Sequence, residues 1–532
     1  MDLGNIGFLV GNIKLRRDSI MFNPEISQPQ TSLLEQHPAW VRLCLVLMFL
    51  LAALIRRDEI RAPGHLIERE YNSAIFTRYY YFMGNDNIEE WRKVNAMATM
   101  ESLPLLEPPV TEYLVSLIFR ILGKEEIWYA RYLTGLFWLI GGIFMYKITC
   151  RLVSEGAALF AVGYYLFVPW GIIISRSFQP DSLMMMMFLI SIFCLLLYFE
   201  RPSWHMLFLA GSITGISLLL RPLVTFGLLC AFTVLFINTK RERGHRLNNI
   251  DFWTFNILSL VFPLAFYGYG IFIGKFLQGQ ADLSFRPYLL GRWEFWRGWF
   301  TNGINVTEPA MIVLAVFGFF LLQKISARAL IVGLLIGYLM LGVIFTYHIY
   351  SHPYYHIQLF PIIAICAGSL LSAVGKIIAQ QMRMSWWMPV TATLLLILYS
   401  VHRDVRSMLY TTVFEDPDLS SEIGRIVDHS PNTVFVAYHY GLPLEYYGEF
   451  VGLPWPVSID DPFFRRPDAR KLSVEERIDG LGFIPKYFII TNFDLYNRLH
   501  QDLRTYLENN CAVLTNTKAY LIYASCGNVS TE

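Results

Sequence analysis

Charge is what this 532-residue chain has least of: 43 Lys plus Arg and 42 Asp plus Glu make up 16% of it and leave a net charge of +1. That balance has no basic excess to draw nucleic acid, so no nucleic-acid partner is expected, and there is no acidic tail. Cysteine is also sparse. Of the 7, Cys44, Cys150, Cys194, Cys230 and Cys366 fall inside apolar runs, where a small thiol packs without needing any chemistry. Cys511 and Cys526, in the polar C-terminal stretch, are placed to pair only if that stretch is exported. The chain has no internal repeat, no low-complexity linker and no Gly-rich phosphate loop after a candidate strand. What it does have is apolar residues, 55% of the total with 16% aromatic and a mean hydropathy of +0.41. A soluble globule rarely has that composition.

A bilayer core about 30 Å thick takes roughly 20 apolar residues per helix. The first such run is 40–55, too far from the N-terminus for a cleaved signal and without a cleavage-like site after it. Lys14, Arg16 and Arg17 precede it, and the positive-inside rule keeps them cytoplasmic, so residues 56–126 are expected outside. Within that segment, 110–122 is apolar and helical in pattern but about half the spanning length, and Glu112 and Arg120 interrupt it. It is expected to lie in the interface. Further spans are expected at 127–150, 156–174, 182–200, 204–220, 223–238, 252–275, 308–323, 328–347, 357–375 and 386–401. Alternation then puts Arg151, the Lys240–Arg246 run, Lys324 with Arg328, and Lys376 with Arg383 inside. An extra crossing at 110–122 would turn the Lys240–Arg246 run outward.

Residues 403–532 change composition, with strand-like 433–437, 487–491 and 519–523 separated by helical or turn-rich stretches such as 494–508. The sequence therefore predicts a polytopic α-helical membrane protein of about 11 transmembrane helices, residues 1–402, followed by a small extracytoplasmic α/β domain, 403–532.

Ionisable groups then gather on the outer face, where they are costly unless they line a wet site. The first connection holds Asp58, Glu59, Glu68, Glu70 and Glu107; the second holds Arg176 and Asp181; the third centres on Arg221-Pro222. The fourth, 276–307, brings Asp282, Arg286, Arg292, Glu294 and Arg297, and the fifth runs from His348 to His356.

Three motifs in these connections carry a family resemblance: Leu106-Glu107-Pro108-Pro109 stepping into a short helix, Gln179-Pro180-Asp181-Ser182-Leu183 heading a span, and His352-Pro353-Tyr354-Tyr355 ahead of Pro361. In their order and common side the sequence resembles the GT-C membrane glycosyltransferases over roughly residues 40–375, in particular the branch of protein O-mannosyltransferases and the lipid A aminoarabinose transferase. The resemblance implies a GT-C-like fold. It also implies transfer of a sugar from a polyprenyl-phosphate-linked donor to a protein, lipid or glycan acceptor outside the membrane, with no cofactor. A bacterial inner membrane is the implied location, with the endoplasmic reticulum as its eukaryotic equivalent.

Residue chemistry agrees with that expectation. A phosphate leaving group calls for the always-charged, bidentate donors of Arg, and Arg176, Arg221, Arg286, Arg292 and Arg297 are available. An attacking hydroxyl needs a carboxylate base within hydrogen-bond reach. Relatives have an acidic pair opening the helix of the first loop several residues before an Arg. Counted back from Arg78, Arg69-Glu70 stands in that register, with Arg in place of the first acid. Glu70 is therefore ranked first as base, then Asp58, then Glu68, while Glu107 stands where relatives have a functional acid. Pro108 occupies the place of a Lys in the aminoarabinose type. Asp181 serves either as a helix cap or as a partner for Arg176.

His352, Tyr354, Tyr355 and His356 are candidate donor-binding groups. The i, i+4 spacing of His352 and His356 would suit a metal on a helix, but Pro353 interrupts the helix and no metal is expected. Tyr79 to Tyr81, Trp293, Trp296 and Trp299 read as an interfacial aromatic belt. A transporter would need midplane charges and paired broken helices, which the pattern lacks; a non-catalytic envelope-assembly protein would make the outer acids dispensable. If the site is real, Glu70, Glu107, Asp181, Arg221 and His352 should line one outward cavity.

Overall fold

The computed structural model describes residues 38–58, 60–61, 66–243, 247–382, 416–455 and 472–526. Apolar runs become helices because only a helix satisfies every backbone N–H and C=O within one segment in lipid. The first, α1 (Pro38–Arg57), leads to three helices that stay at one end of the bundle: α2 (Ile67–Met83), α3 (Glu90–Ser102) and α4 (Val110–Leu122). The bundle continues with α5 (Ile127–Leu152), α6 (Glu155–Phe167), α7 (Pro169–Arg176), α8 (Asp181–Glu200), α9 (Trp204–Leu220), α10 (Thr225–Arg243) and α11 (Asn249–Gly268). After the short α12 (Gln278–Ser284) come α13 (Trp293–Thr307), α14 (Pro309–Phe320), α15 (Ile325–Ile344), α16 (Thr346–Ser351) and α17 (Leu359–Met382).

Among the described residues, 7 helices are long and apolar enough to cross a membrane, or up to 9 if two bent pairs each count as one span. The expected span 386–401 lies outside the described residues. Two expected straight spans are broken. The 156–174 span bends by 55° between α6 and α7, where Pro169 has no N–H to continue the ladder. The 308–323 span shortens to α14 and meets α13 at 88°, because Glu308 takes a left-handed φ of 69° ahead of Pro309.

The short helix α4 has 13 residues, well short of the roughly 20 a crossing takes. It buries Thr111, Glu112, Val115, Ser116 and Phe119 against its neighbours and leaves Ile121, Leu122, Tyr113 and Leu114 exposed, the division expected of a helix lying in the interface.

The C-terminal domain is a five-stranded sheet in the order β2-β1-β3-β5-β4. Its strands are β1 (Thr433–Val436), β2 (Gly452–Pro454), β3 (Tyr487–Ile490), β4 (Cys511–Asn516) and β5 (Leu521–Cys526). Strands β2, β1 and β3 run parallel and β5 and β4 antiparallel. Strand β2 escapes a sequence reading because Gly-Leu-Pro looks like a turn, and the helical or turn-rich stretch 494–508 forms two helices, Phe493–Leu499 and Gln501–Asn510, that meet at His500. Cys511 is disulfide-bonded and lies opposite Cys526 in the β4–β5 register.

This domain packs on the first connection. Arg92 Nε and Nη2 donate to Glu449 at 2.6 and 2.5 Å, Asn95 Nδ2 donates to the carbonyls of His429 and Glu449 at 2.8 and 2.9 Å, and Arg78 donates to the Tyr446 carbonyl. At the other end of the bundle Arg151 pairs with Glu200 at 3.0 Å and Lys324 donates to the Arg151 carbonyl, so these basic connections share one face. Cysteines introduced at Asn87 and Lys518, both exposed, should therefore react with a membrane-impermeant maleimide from one side of sealed vesicles, and a cysteine at Glu200 from the other. Labelling of 87 and 518 from opposite sides would contradict the packing.

Candidate functional site

The site begins at the first turn of α2, where three consecutive charged residues point in three directions because a helix turns about 100° per residue. Glu68 accepts from His439 Nδ1 of the C-terminal domain at 2.8 Å. Arg69 Nη2 donates to Glu107 Oε1 at 3.0 Å. Glu70 is fully buried and takes Arg131 Nε and Nη2 of α5 at 2.8 Å each, with the Phe178 backbone N–H adding a third bond at 2.9 Å.

Around Arg69 the ends of four helices meet. The Pro108-Pro109 step delivers Glu107 just before α4. Pro180 caps α8 and places Asp181, also fully buried, in its first turn. Arg221 ends α9 in extended geometry, φ −163° and ψ 127°, the conformation a following proline imposes. Its guanidinium pairs with Asp181. A 3-10 turn over Pro353–His356 then inserts Tyr354, whose ring lies 5.7 Å from the Arg69 guanidinium and 5.4 Å from that of Arg221.

Two Arg–carboxylate pairs are thus joined across one aromatic face, an arrangement cation–π attraction favours. His348 stacks on Tyr355 with centroids 5.1 Å apart and lies 5.2 Å from the His352 ring. Burial first, then the charges of Arg69 and Arg221, push His352 down to about 4. Burial and the neighbouring His352 and Arg221 push His348 down to about 3. Both imidazoles are therefore neutral near pH 7. On the same turn as Asp181, Gln179 is fully buried with neither amide atom bonded among the described residues, and Ser182 Oγ and His348 Nδ1 likewise have no partner among them. Buried polar atoms seldom stay unbonded, and here they gather beside the paired charges.

Of the residues singled out from sequence, Glu107, Asp181, Arg221, His352, Tyr354 and Tyr355 meet in this cluster. Glu70 stands apart, because its carboxylate is taken by Arg131 and Phe178 and shielded from solvent. Glu68 turns to the C-terminal domain and Asp58 is exposed, its carbonyl accepting from Arg176. That bond ties Arg176 to the first connection. Arg286 lies at the edge of the cluster, over the Tyr347 ring at 5.0 Å, whereas Arg292 is exposed and sits over Tyr288 at 5.4 Å. His356 is held between Tyr338 Oη and the Ile349 carbonyl, both at 2.8 Å, and faces away.

The sequence reading named Arg69 beside Glu70, Gln179 in the Gln179–Leu183 motif and His348 at the start of the fifth connection, but did not rank them among the site residues. It missed Arg131 for a different reason: an Arg inside an apolar run signals a buried acid but does not say which. Glu112 is a further buried acid nearby, accepting from Ser73 Oγ at 2.7 Å and raised by burial to about 7. No group of three or more His, Cys, Asp or Glu suited to a metal occurs among the described residues.

The family model of dolichyl-phosphate-mannose-protein mannosyltransferases matches residues 106–267, the stretch that supplies Glu107, Asp181 and Arg221. No curated protein sequence matches the chain. Among solved structures, ArnT from Cupriavidus metallidurans in the apo state superposes with a TM-score of 0.56 at 14% identity, covering 90% of this chain and 97% of ArnT. The same protein bound to undecaprenyl phosphate gives 0.50 at 14%, covering 93% and 99%. The archaeal oligosaccharyltransferase AglB from Archaeoglobus fulgidus, in complex with an inhibitory peptide and a dolichol-phosphate, gives 0.53 at 11%, covering 94% of this chain and 75% of AglB. At these identities fold is what is shared. The chain has the GT-C fold, and the resemblance drawn from its loop motifs to the GT-C membrane glycosyltransferases is supported by family match and structure together.

Replacing Glu70 by Gln leaves Arg131 buried without its counter-charge, a change that costs about 3–5 kcal/mol where a buried pair is broken. Glu70→Gln should therefore lower the Tm of the purified protein clearly, while Glu107→Gln, in a part-exposed pair, should leave it close to the parent. Equal Tm values for Glu70→Gln and the parent would remove the holding role.

Proposed function

We propose that the chain transfers a sugar from a polyprenyl-phosphate-linked donor to a hydroxyl-bearing acceptor at the extracytoplasmic face of a cell membrane, with the bacterial inner membrane as its setting. The observation that carries this reading is the pair of Arg–carboxylate couples joined across Tyr354 at the helix ends. Arg69 and Arg221 are always protonated and offer several N–H donors each. With one carboxylate apiece they keep donors for the phosphate oxygens of a lipid-linked sugar. In the reaction the acceptor oxygen bonds to the anomeric carbon, the bond from that carbon to the phosphate oxygen breaks, and the polyprenyl phosphate leaves with the electron pair. Arg69 and Arg221 stabilise the charge developing on the leaving phosphate, which is where preorganised donors contribute most.

The acceptor proton needs a base. Glu107 fits best: its side chain is 14% exposed and only Oε1 is engaged, by Arg69. Asp181, fully buried beside Arg221, orients that guanidinium. Glu70, first in the register of the resemblance, is better suited to holding the site together. The structure of ArnT with undecaprenyl phosphate and that of AglB with a dolichol-phosphate support a lipid-phosphate ligand for a fold of this kind.

Sugar transfer from an undecaprenyl-phosphate-linked donor should fall by about 10²–10⁴-fold in Glu107→Gln, the usual contribution of a positioned acid or base. Binding of undecaprenyl phosphate alone should weaken about ten- to a hundred-fold in Arg69→Ala and in Arg221→Ala, since a hydrogen bond to a charged group contributes about 1.5–3 kcal/mol. Unchanged transfer in Glu107→Gln and Arg69→Ala together would favour a non-catalytic envelope role. With His348 and His352 neutral, affinity for undecaprenyl phosphate should not fall as pH rises from about 6 to about 8, whereas an imidazolium contact would weaken over that interval.

A further inference from the structure

The C-terminal domain, together with Glu68 of α2, lines a cavity of about 290 Å3. Strand β1 lies between β2 on one side and β3 on the other, so the chain leaves β1 towards one neighbour and enters the other from the opposite direction. The carboxyl ends of such adjacent parallel strands form the crevice where open α/β sheets bind ligands. The cavity sits there: Val436 closes β1, Asn492 follows β3, and both line it.

We infer that this crevice is a binding site for an uncharged sugar unit of the acceptor. The inference rests on the glycosyl-transfer reading for the word acceptor, but the carbohydrate chemistry stands on the lining itself. Glu68, His439, Tyr440, Trp455, Asn492 and His500 supply polar groups and aromatic surface, and no Lys or Arg lines it among the described residues. Among the described residues a phosphate or nucleotide would find no Lys or Arg in the lining, with Glu68 adding negative charge. Hydroxyl-rich rings are what aromatic faces with a few oriented donors and acceptors bind.

Two further observations point to a ligand. Trp455 is 1% exposed, lines the cavity, and its indole N–H has no acceptor among the described residues; its ring is backed by Arg477, itself paired with Asp502. Tyr440 is the reverse case, 64% exposed despite its size. It is held outward by a run of left-handed backbone at His439, Tyr440 and Gly441, with φ of 51°, 56° and 74°. Strained backbone of this kind persists where the surroundings enforce it, and it concentrates at ligand sites.

The crevice also reports to the transfer site. Glu68 lines it, and the next residue, Arg69, pairs with Glu107. A sugar bound against Glu68 and His439 lies one helical residue away from the cluster proposed to activate the acceptor, so the domain presents the acceptor rather than capping the bundle.

The test uses the full-length protein in detergent and three soluble probes, N,N′-diacetylchitobiose, maltose and mannobiose, followed by saturation-transfer NMR and calorimetry. The expected result is binding of at least one disaccharide, weakened about ten-fold or more (about 1.4 kcal/mol) in both Tyr440→Ala and Trp455→Phe and unchanged in Lys518→Ala, at an exposed position away from the crevice. Trp455→Phe keeps an aromatic face but deletes the indole N–H together with the second ring of the bicycle, and circular dichroism and Tm report whether either variant has lost its fold. No binding of any probe, equal binding by folded Tyr440→Ala and Trp455→Phe, or displacement by inorganic phosphate would overturn the proposal. These readouts contain no lipid-linked donor, so their failure is separate from a failure of undecaprenyl phosphate to bind at Arg69 and Arg221.

Discussion

The buried pair between Glu70 and Arg131 is the constraint on which the rest of the site depends. It is bidentate, 2.8 Å on each arm, with side chains 0% and 4% exposed, and its carboxylate also accepts from the Phe178 N–H. One carboxylate thereby fixes α2 to α5 and to the turn that opens α8. With those three elements held, Arg69 has one direction left to point, and Asp181 is placed three residues from an anchored amide. Such a pair repays its desolvation only with full hydrogen bonding. Here that bonding is complete on the acid side, and what it secures is geometry rather than stability for its own sake.

The chemistry collects at helix ends because the bilayer allows it nowhere else. Within the hydrocarbon every backbone group must bond internally, so polar side chains and broken backbone are confined to the rim. Proline sets where each break falls: Pro109 ahead of α4, Pro180 ahead of α8, Pro222 after Arg221, Pro353 before Tyr354. Each proline ends or starts a helix within two residues of a side chain in the cluster. The cluster as a whole is near neutral in charge, two guanidinium groups against two carboxylates, and burial first, with the nearby cationic groups second, keeps the two histidines beside it unprotonated.

The C-terminal domain completes this rim. It buries Tyr71 against Tyr446 and Tyr447 and binds α3 through Glu449, whose carboxyl is held below its ordinary range by Arg92 and Arg78 despite burial. Its contact with Glu68 makes the first turn of α2 a junction, with the C-terminal domain, the Arg69–Glu107 pair and the α5 anchor each touching one of three successive residues. A rigid helix transmits position along such a turn, so whatever occupies the domain's crevice is registered against the cluster.

Much of this was legible in the chain itself. Hydropathy gave the spans at 127–150, 182–200, 252–275 and 357–375 because burial in lipid is a composition rule. Proline-flanked polar motifs marked Glu107, Asp181, Arg221 and Tyr354. The choice among neighbouring acids was not legible: Glu68 and Glu70 differ by two positions in sequence and by about 200° around the helix, and nothing local says which direction faces the cluster and which the core. Nor could Arg131 be matched to Glu70 or Tyr440 to a crevice, since these partners are set by how α5 and the sheet pack on α2. Local physics, periodicity and charge, determined what kind of protein this is. Which side chains face one another was decided by tertiary packing, because the direction of a side chain on a helix has meaning only against the neighbours that surround it.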